Sequence, residues 1–155
     1  MKKAFDVLLC LLAVFVVPAI SQTTADPMVG TWKVSAEKSK VKDKDAVFTE
    51  FTVTAVSGKP HTYHFKYIFS NGKTIEQDRI YDGKERTNPD LGGRLESYEV
   101  TGLLTHRNTY KSAGEPTQVV EATISSDGKT WSSQRKAISA DGKVTDGELI
   151  VSDKQ

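Results

Sequence analysis

Four short words, Asn71-Gly72-Lys73, Asp82-Gly83-Lys84, Asp127-Gly128-Lys129 and Asp141-Gly142-Lys143, punctuate the chain between runs rich in Val, Ile, Thr, Phe and Tyr. Asn-Gly and Asp-Gly supply the positive φ angles of tight reversals, so the runs on either side are expected to be antiparallel neighbours. Nine strands follow: Gly30 to Ala36, Val47 to Val56, His61 to Ser70, Thr74 to Tyr81, Arg94 to Thr101, Leu103 to Lys111, Thr117 to Ser125, Thr130 to Ser139 and Val144 to Ser152. Beyond the first 25 residues no apolar period of 3.6 is sustained, so little helix is expected, at most one turn between Glu37 and Asp45. Nine strands in one meander crowd a small open sheet, and closing it removes the exposed edges. The predicted fold is all-β: a single antiparallel up-and-down barrel of about eight to ten strands.

Period two then assigns faces. In "HTYHFKYIFS" the residues His61, Tyr63, Phe65, Tyr67 and Phe69 share one face, which makes one interior wall aromatic. Val47, Phe51 and Val53 line the second strand, and Val120, Ala122 and Ile124 the seventh. The acidic Glu76 and Asp78 belong in water, which turns Arg79 inward with Ile75, Gln77 and Tyr81. By the same rule His106, Asn108 and Tyr110 point in from the sixth strand, and Trp131, Ser133 and Arg135 from the eighth. Charged groups in a dry core cost several kcal/mol each, so either the interior is a wet cavity or these strands are shifted by one residue.

The chain opens "MKKAFDVLLCLLAVFVVPAISQTTADP". Two lysines precede an apolar run of 14 residues, Val7 to Ile20, which is shorter than a spanning helix needs. Small residues follow at Ala19 and Ser21, the pattern of a cleaved signal peptide. The expected cut is after Ser21, with Ala25 as the second position and an uncleaved anchor as the alternative. Residues 1–21 are thus read as leader and 22–155 as one secreted or periplasmic domain. The only cysteine, Cys10, lies in the leader. An exported chain without thiols excludes disulfides, cysteine nucleophiles and thiolate-bound zinc. Setting Lys2, Lys3 and Asp6 aside from 21 basic and 20 acidic residues leaves 19 of each, so no field draws in nucleic acid or an anionic membrane. "EKSKVKDKD", Glu37 to Asp45, alternates sign and reads as a solvated loop.

Gly30-x-Trp32 on the first strand, the length of the meander and the export signal together resemble the calycin group, the lipocalins and fatty-acid-binding proteins. "VGTWKVSAEKSK" followed by "SDGKTW" and "ADGKVT" is similar to small exported lipocalin-like proteins of bacteria, a group of unassigned function. The resemblance implies that the glycine turns the chain into the first strand while the tryptophan plugs the closed end beneath an arginine from a late strand. The last strand, "VTDGELIVS", has no arginine, so Arg135 on the preceding strand is the nearest candidate. The mid-chain Asp-Tyr pair and the inter-strand disulfide of lipocalins are absent. Arg79-Ile80-Tyr81 is similar to the Arg-x-Tyr that grips a carboxylate in fatty-acid-binding proteins, although there it lies near the C-terminus.

Catalytic motifs are missing: there is no G-x-S-x-G elbow, P-loop, dinucleotide-binding glycine pattern or HExxH. His61 and His64 are three apart on a strand and face opposite sides, so they cannot chelate one ion. The pairs Asp146/Glu148 and Glu76/Asp78 read as solvated surface rather than an acid and base. No catalytic residue, metal or cofactor is assigned. The expected function is binding of a small apolar or amphipathic molecule. Tyr63, Phe65, Tyr67 and Phe69 would bury its tail, while Arg79, Tyr98, His106, Tyr110 and Arg135 would offer hydrogen bonds to its head. No nucleic acid and no stable membrane insertion are expected. Two alternatives stay open: a filled barrel acting as an interaction module in the cell envelope, and a lipocalin-type enzyme with His106 or a carboxylate beside the pocket. A cavity of a few hundred Å³ is the discriminating observation.

Overall fold

The computed structural model describes residues 26–42, 47–89, 92–112 and 115–155; the leader and both cleavage positions lie outside them. Ten antiparallel strands form one sheet: β1 (Gly30–Val34), β2 (Phe48–Ala55), β3 (Thr62–Phe69), β4 (Thr74–Ile80), β5 (Arg86–Asn88), β6 (Arg94–Gly102), β7 (Thr105–Ser112), β8 (Glu115–Ile124), β9 (Thr130–Ile138) and β10 (Val144–Lys154). The described residues contain no α-helix, and hence none long and apolar enough to cross a membrane. Near Glu37 the chain makes only a turn.

The repeated turn words work through their side chains. Asn71, Asp82, Asp127 and Asp141 each accept a hydrogen bond from the backbone N–H of the lysine two residues on, at 2.9 to 3.3 Å. That local bond mimics a backbone turn and sets the reversal. Three of the words join paired strands. The fourth, at Asp82, crosses between strands that do not pair.

Its position marks the seam. The hydrogen-bonded order is β4-β3-β2-β1-β10-β9-β8-β7-β6-β5, so the sheet curls round without a ladder between its two ends. The expectation that closure would remove the edges is corrected here: β4 and β5 each keep an outer edge. The gap is bridged by single contacts instead. Gly83 donates its N–H to the Tyr98 carbonyl at 2.8 Å, and the rings of Tyr81 and Tyr98 lie 5.7 Å apart. At three residues, β5 is too short to show a periodicity and was not expected.

Inside the curl sits an aromatic core: Trp32, Phe51, Phe65, Tyr63, Tyr67, Tyr81, Tyr98 and Trp131 are all buried, with Met28 and Ile124. The period-two assignment holds along β4, β7 and β8 and along β3 from Tyr63 to Phe69, but His61, expected on the aromatic face, is corrected: it lies in the turn before β3, exposed and with φ +52°. The alternation breaks at two bulges, because one extra residue reverses the parity beyond it. On β2 the register shifts between Phe48 and Glu50, which turns Phe48 inward to meet Phe51 and Tyr67 at 5.4 and 4.9 Å. On β10 it shifts between Asp146 and Leu149. Asp146 therefore stays outside, while Glu148 turns in and its side chain is only 16% exposed.

The segment ahead of β1 seals one end. Asp26 accepts from the Met28 N–H at 2.9 Å and from the Tyr63 hydroxyl at 2.6 Å, and Trp32 Nε1 donates to the Met28 carbonyl at 3.0 Å. The cation over Trp32 is Lys154, its Nζ 5.0 Å from the ring and 3.2 Å from the Pro27 carbonyl. The expected arginine is thus corrected to a lysine at the end of β10, and Arg135 lies elsewhere. Gly30 makes this possible. Its φ is +140°, and a Cβ there would stand 2.6 Å from Lys154 Cε, so a side chain would drive the lysine off the tryptophan.

Candidate functional site

A cavity of about 340 Å³ occupies the other end of the barrel. Phe48, Phe51, Phe65, Tyr67 and Phe69 from β2 and β3 form its aromatic wall. Facing them, β7, β9 and β10 contribute Asn108, Tyr110, Ser133, Arg135, Glu148 and Ser152, with Val120 and Ala122 of β8 between. β4 adds Ile75, Gln77 and Arg79. Of the residues expected to touch a ligand, Phe65, Tyr67, Phe69, Arg79, Tyr110 and Arg135 line this space. Tyr63, Tyr98 and His106 are buried behind it. Phe48 and Glu148 were missed, since a bulge leaves no mark in a period-two pattern.

Arg79 dominates the electrostatics. Its guanidinium carbon lies 4.6 Å from the centre of the Phe65 ring, 5.3 Å from Tyr67 and 4.9 Å from Tyr98. The Gln77 amide oxygen, turned to the orientation that satisfies both groups, accepts from Arg79 Nε at 2.9 Å. No carboxylate among the described residues pairs with it. Burial works against the charge, but the phenol oxygens of Tyr67, Tyr110, Tyr98 and Tyr81 outweigh it and hold the pKa well above the arginine range. Burial pushes the Tyr81 phenol up to about 12, with Arg79 opposing. The guanidinium is therefore a permanent cation, stacked on π faces and lacking a counter-ion.

Arg135 is a different case. It lies at the rim, largely exposed, and pairs with Glu148 at 2.6 Å, while Glu148 also accepts from the Lys42 backbone N–H at 3.1 Å. Of the cavity's three charged residues, two neutralise each other and Arg79 is left over.

His106 stacks on Trp131, ring centres 6.0 Å apart at 16°, and meets the edge of Tyr81 at 5.4 Å. Its Nδ1 has no hydrogen bond. Burial depresses its pKa, with Asp26 opposing. A depressed histidine stabilises the fold above its unfolded pKa of about 6.5, and that stability is lost as pH falls towards the folded value, because the unfolded chain binds the extra proton. Thermal melts between pH 7.5 and 5.5 should show the melting temperature dropping by on the order of a few degrees. His106→Phe should flatten the slope; an unchanged slope would assign it to other groups.

Among the described residues no group of three or more His, Cys, Asp or Glu could hold a metal ion. Glu76 and Asp78 face His64 and Lys66 on the outer surface, His64 Nδ1 to Asp78 at 2.8 Å and Lys66 to Glu76 at 3.2 Å.

No protein-family model matches the chain, and no curated protein does. Solved structures do. Fatty-acid-binding protein 1 of Echinococcus granulosus superposes with a TM-score of 0.59 at 15% identity, covering 84% of this chain and 98% of that one. The Schistosoma mansoni fatty-acid-binding protein in complex with arachidonic acid gives 0.56 at 16%, covering 83% and 96%. The fluorescent protein UnaG gives 0.57 at 14%, again covering 83% and 96%. At these identities the likeness is one of fold alone, an all-β antiparallel barrel.

Proposed function

We propose that this barrel is an exported carrier of a small amphipathic anion, a fatty acid or related lipid, held with its acid group at Arg79 and its tail along the aromatic wall. The observation that carries the reading is the uncompensated guanidinium. A cation kept inside a barrel without a carboxylate costs desolvation, and an anionic ligand supplies the missing charge. The cavity falls within the range of small-molecule pockets, and a mostly apolar lining with a few convergent polar groups is their usual composition. The schistosome protein of the same fold holds an acid of this class. A cavity of this size favours carriage over a filled interaction module, and His106 stands behind Trp131 rather than beside the space, which favours carriage over catalysis.

Mass spectrometry of the protein exported from its natural host tests this directly. Native spectra should carry an added mass that denaturation releases as an organic acid. A bare mass in repeated preparations, together with no uptake of added myristate, would sink the carrier reading. The denatured mass also reports the leader, since cuts after Ser21 and after Ala25 differ by four residues.

A further inference from the structure

Asn108 lines the cavity, is 6% exposed, and its Oδ1 has no hydrogen-bond partner. A buried acceptor left unpaired forfeits its hydration without replacement, so such an atom calls for an explanation. Neither residue paired with it across the sheet offers it a donor. Tyr98 stands directly opposite in the β6–β7 ladder, but its hydroxyl donates to the buried Glu96 carboxylate. On the β8 side the paired residue is Val120. The Arg79 guanidinium lies against the other flank, 4.9 Å from the centre of the Tyr98 ring, with its Nε engaged by Gln77. One tyrosine thus separates an uncompensated cation from an orphan acceptor, and residues opposed in a ladder have their Cβ atoms only about 5 Å apart.

We infer that the ligand carries a hydrogen-bond donor, a hydroxyl or an amide N–H, close to its acid group. This rests on the carrier reading and narrows it: a 3-hydroxy acid or an N-acyl amino acid fits Arg79 and Asn108 together, whereas a plain fatty acid reaches Arg79 and leaves Asn108 unpaired. A site built around a substrate's hydrogen bond discriminates against the analogue that lacks it, because the protein's own polar atom is then stranded.

The test compares myristate with 3-hydroxymyristate, equal in charge and chain length, by calorimetric titration. The expected result is about tenfold tighter binding of the hydroxy acid by the wild-type protein. In Asn108→Leu that preference should vanish, the two acids binding with affinities within about twofold of each other. Equal affinities in the wild-type protein, or a preference that survives Asn108→Leu, overturn the inference and leave the carrier reading standing. Failure of both acids to bind overturns both. Where Asn108→Leu does not fold, Asn108→Ala takes its place, and the wild-type comparison is decisive by itself.

Discussion

Replacing Arg79 by methionine is expected to move binding and stability in opposite directions. Affinity for an anionic amphiphile should fall about a hundredfold, since a charge-assisted hydrogen bond to a desolvated group contributes about 1.5–3 kcal/mol and its loss leaves the acid facing aromatic rings. The empty barrel should become more stable by on the order of 1 kcal/mol, because the change removes a desolvated cation that has no carboxylate partner and replaces it with a flexible apolar chain. Against that gain stand the contacts with Phe65, Tyr67 and Tyr98, which hold the guanidinium in the empty state. Titration of myristate, with thermal unfolding of the ligand-free protein, measures both. Unchanged affinity would remove Arg79 from the site. A large fall in melting temperature with affinity retained would make it a structural residue.

Trp32→Ala should be the most damaging single change to the fold. The side chain is fully buried, stacks on Phe51 at 6.2 Å, receives the edge of Trp131 at 5.3 Å and lies under Lys154. Truncating a buried aromatic of this size costs about 3–5 kcal/mol, a large share of the stability of an ordinary domain. The Met28 carbonyl also loses its donor, so the segment from Asp26 loses one of its fastenings. Lys154→Met, which removes the cation from the ring and the hydrogen bond to the Pro27 carbonyl, should cost about 1–3 kcal/mol. Urea unfolding separates the two, and a Trp32→Ala loss no larger than that of Lys154→Met would mean that the end of the barrel is not sealed by the tryptophan.

How much of this was legible beforehand depended on which signals are local. The turn words were, because a side chain bonding two residues ahead is written within three letters. The faces of β3, β4, β7 and β8 were legible too, and with them the inward Arg79, because alternation survives wherever the ladder is regular. Phe48 and Glu148 escaped because each follows or borders a bulge, and the extra residue is set by the partner strand rather than by its own sequence. Lys154 escaped for another reason. A cation over Trp32 was expected from a resemblance that specifies arginine, and the residue in place is decided by the pairing of Trp32 with Lys154 across β1 and β10. That pairing joins positions far apart in sequence, which no local pattern records. The seam was hidden likewise, since Asp82-Gly83 carries the same letters as a hairpin turn.

The β1–β10 pairing also bears on how such a chain comes to be folded. Its first strand finds one of its two neighbours only when the last has been made, and the plug under Lys154 waits for the same event. A chain synthesised from its N-terminus presents β1 first and β10 last, so β1 must remain half-paired until β10 emerges. Closing so long a loop is the slow part of assembling a non-local sheet. The barrel is thereby a fold whose completion is timed by the arrival of its last strand, and a chain interrupted within β10 should be synthesised normally yet be degraded rather than accumulate.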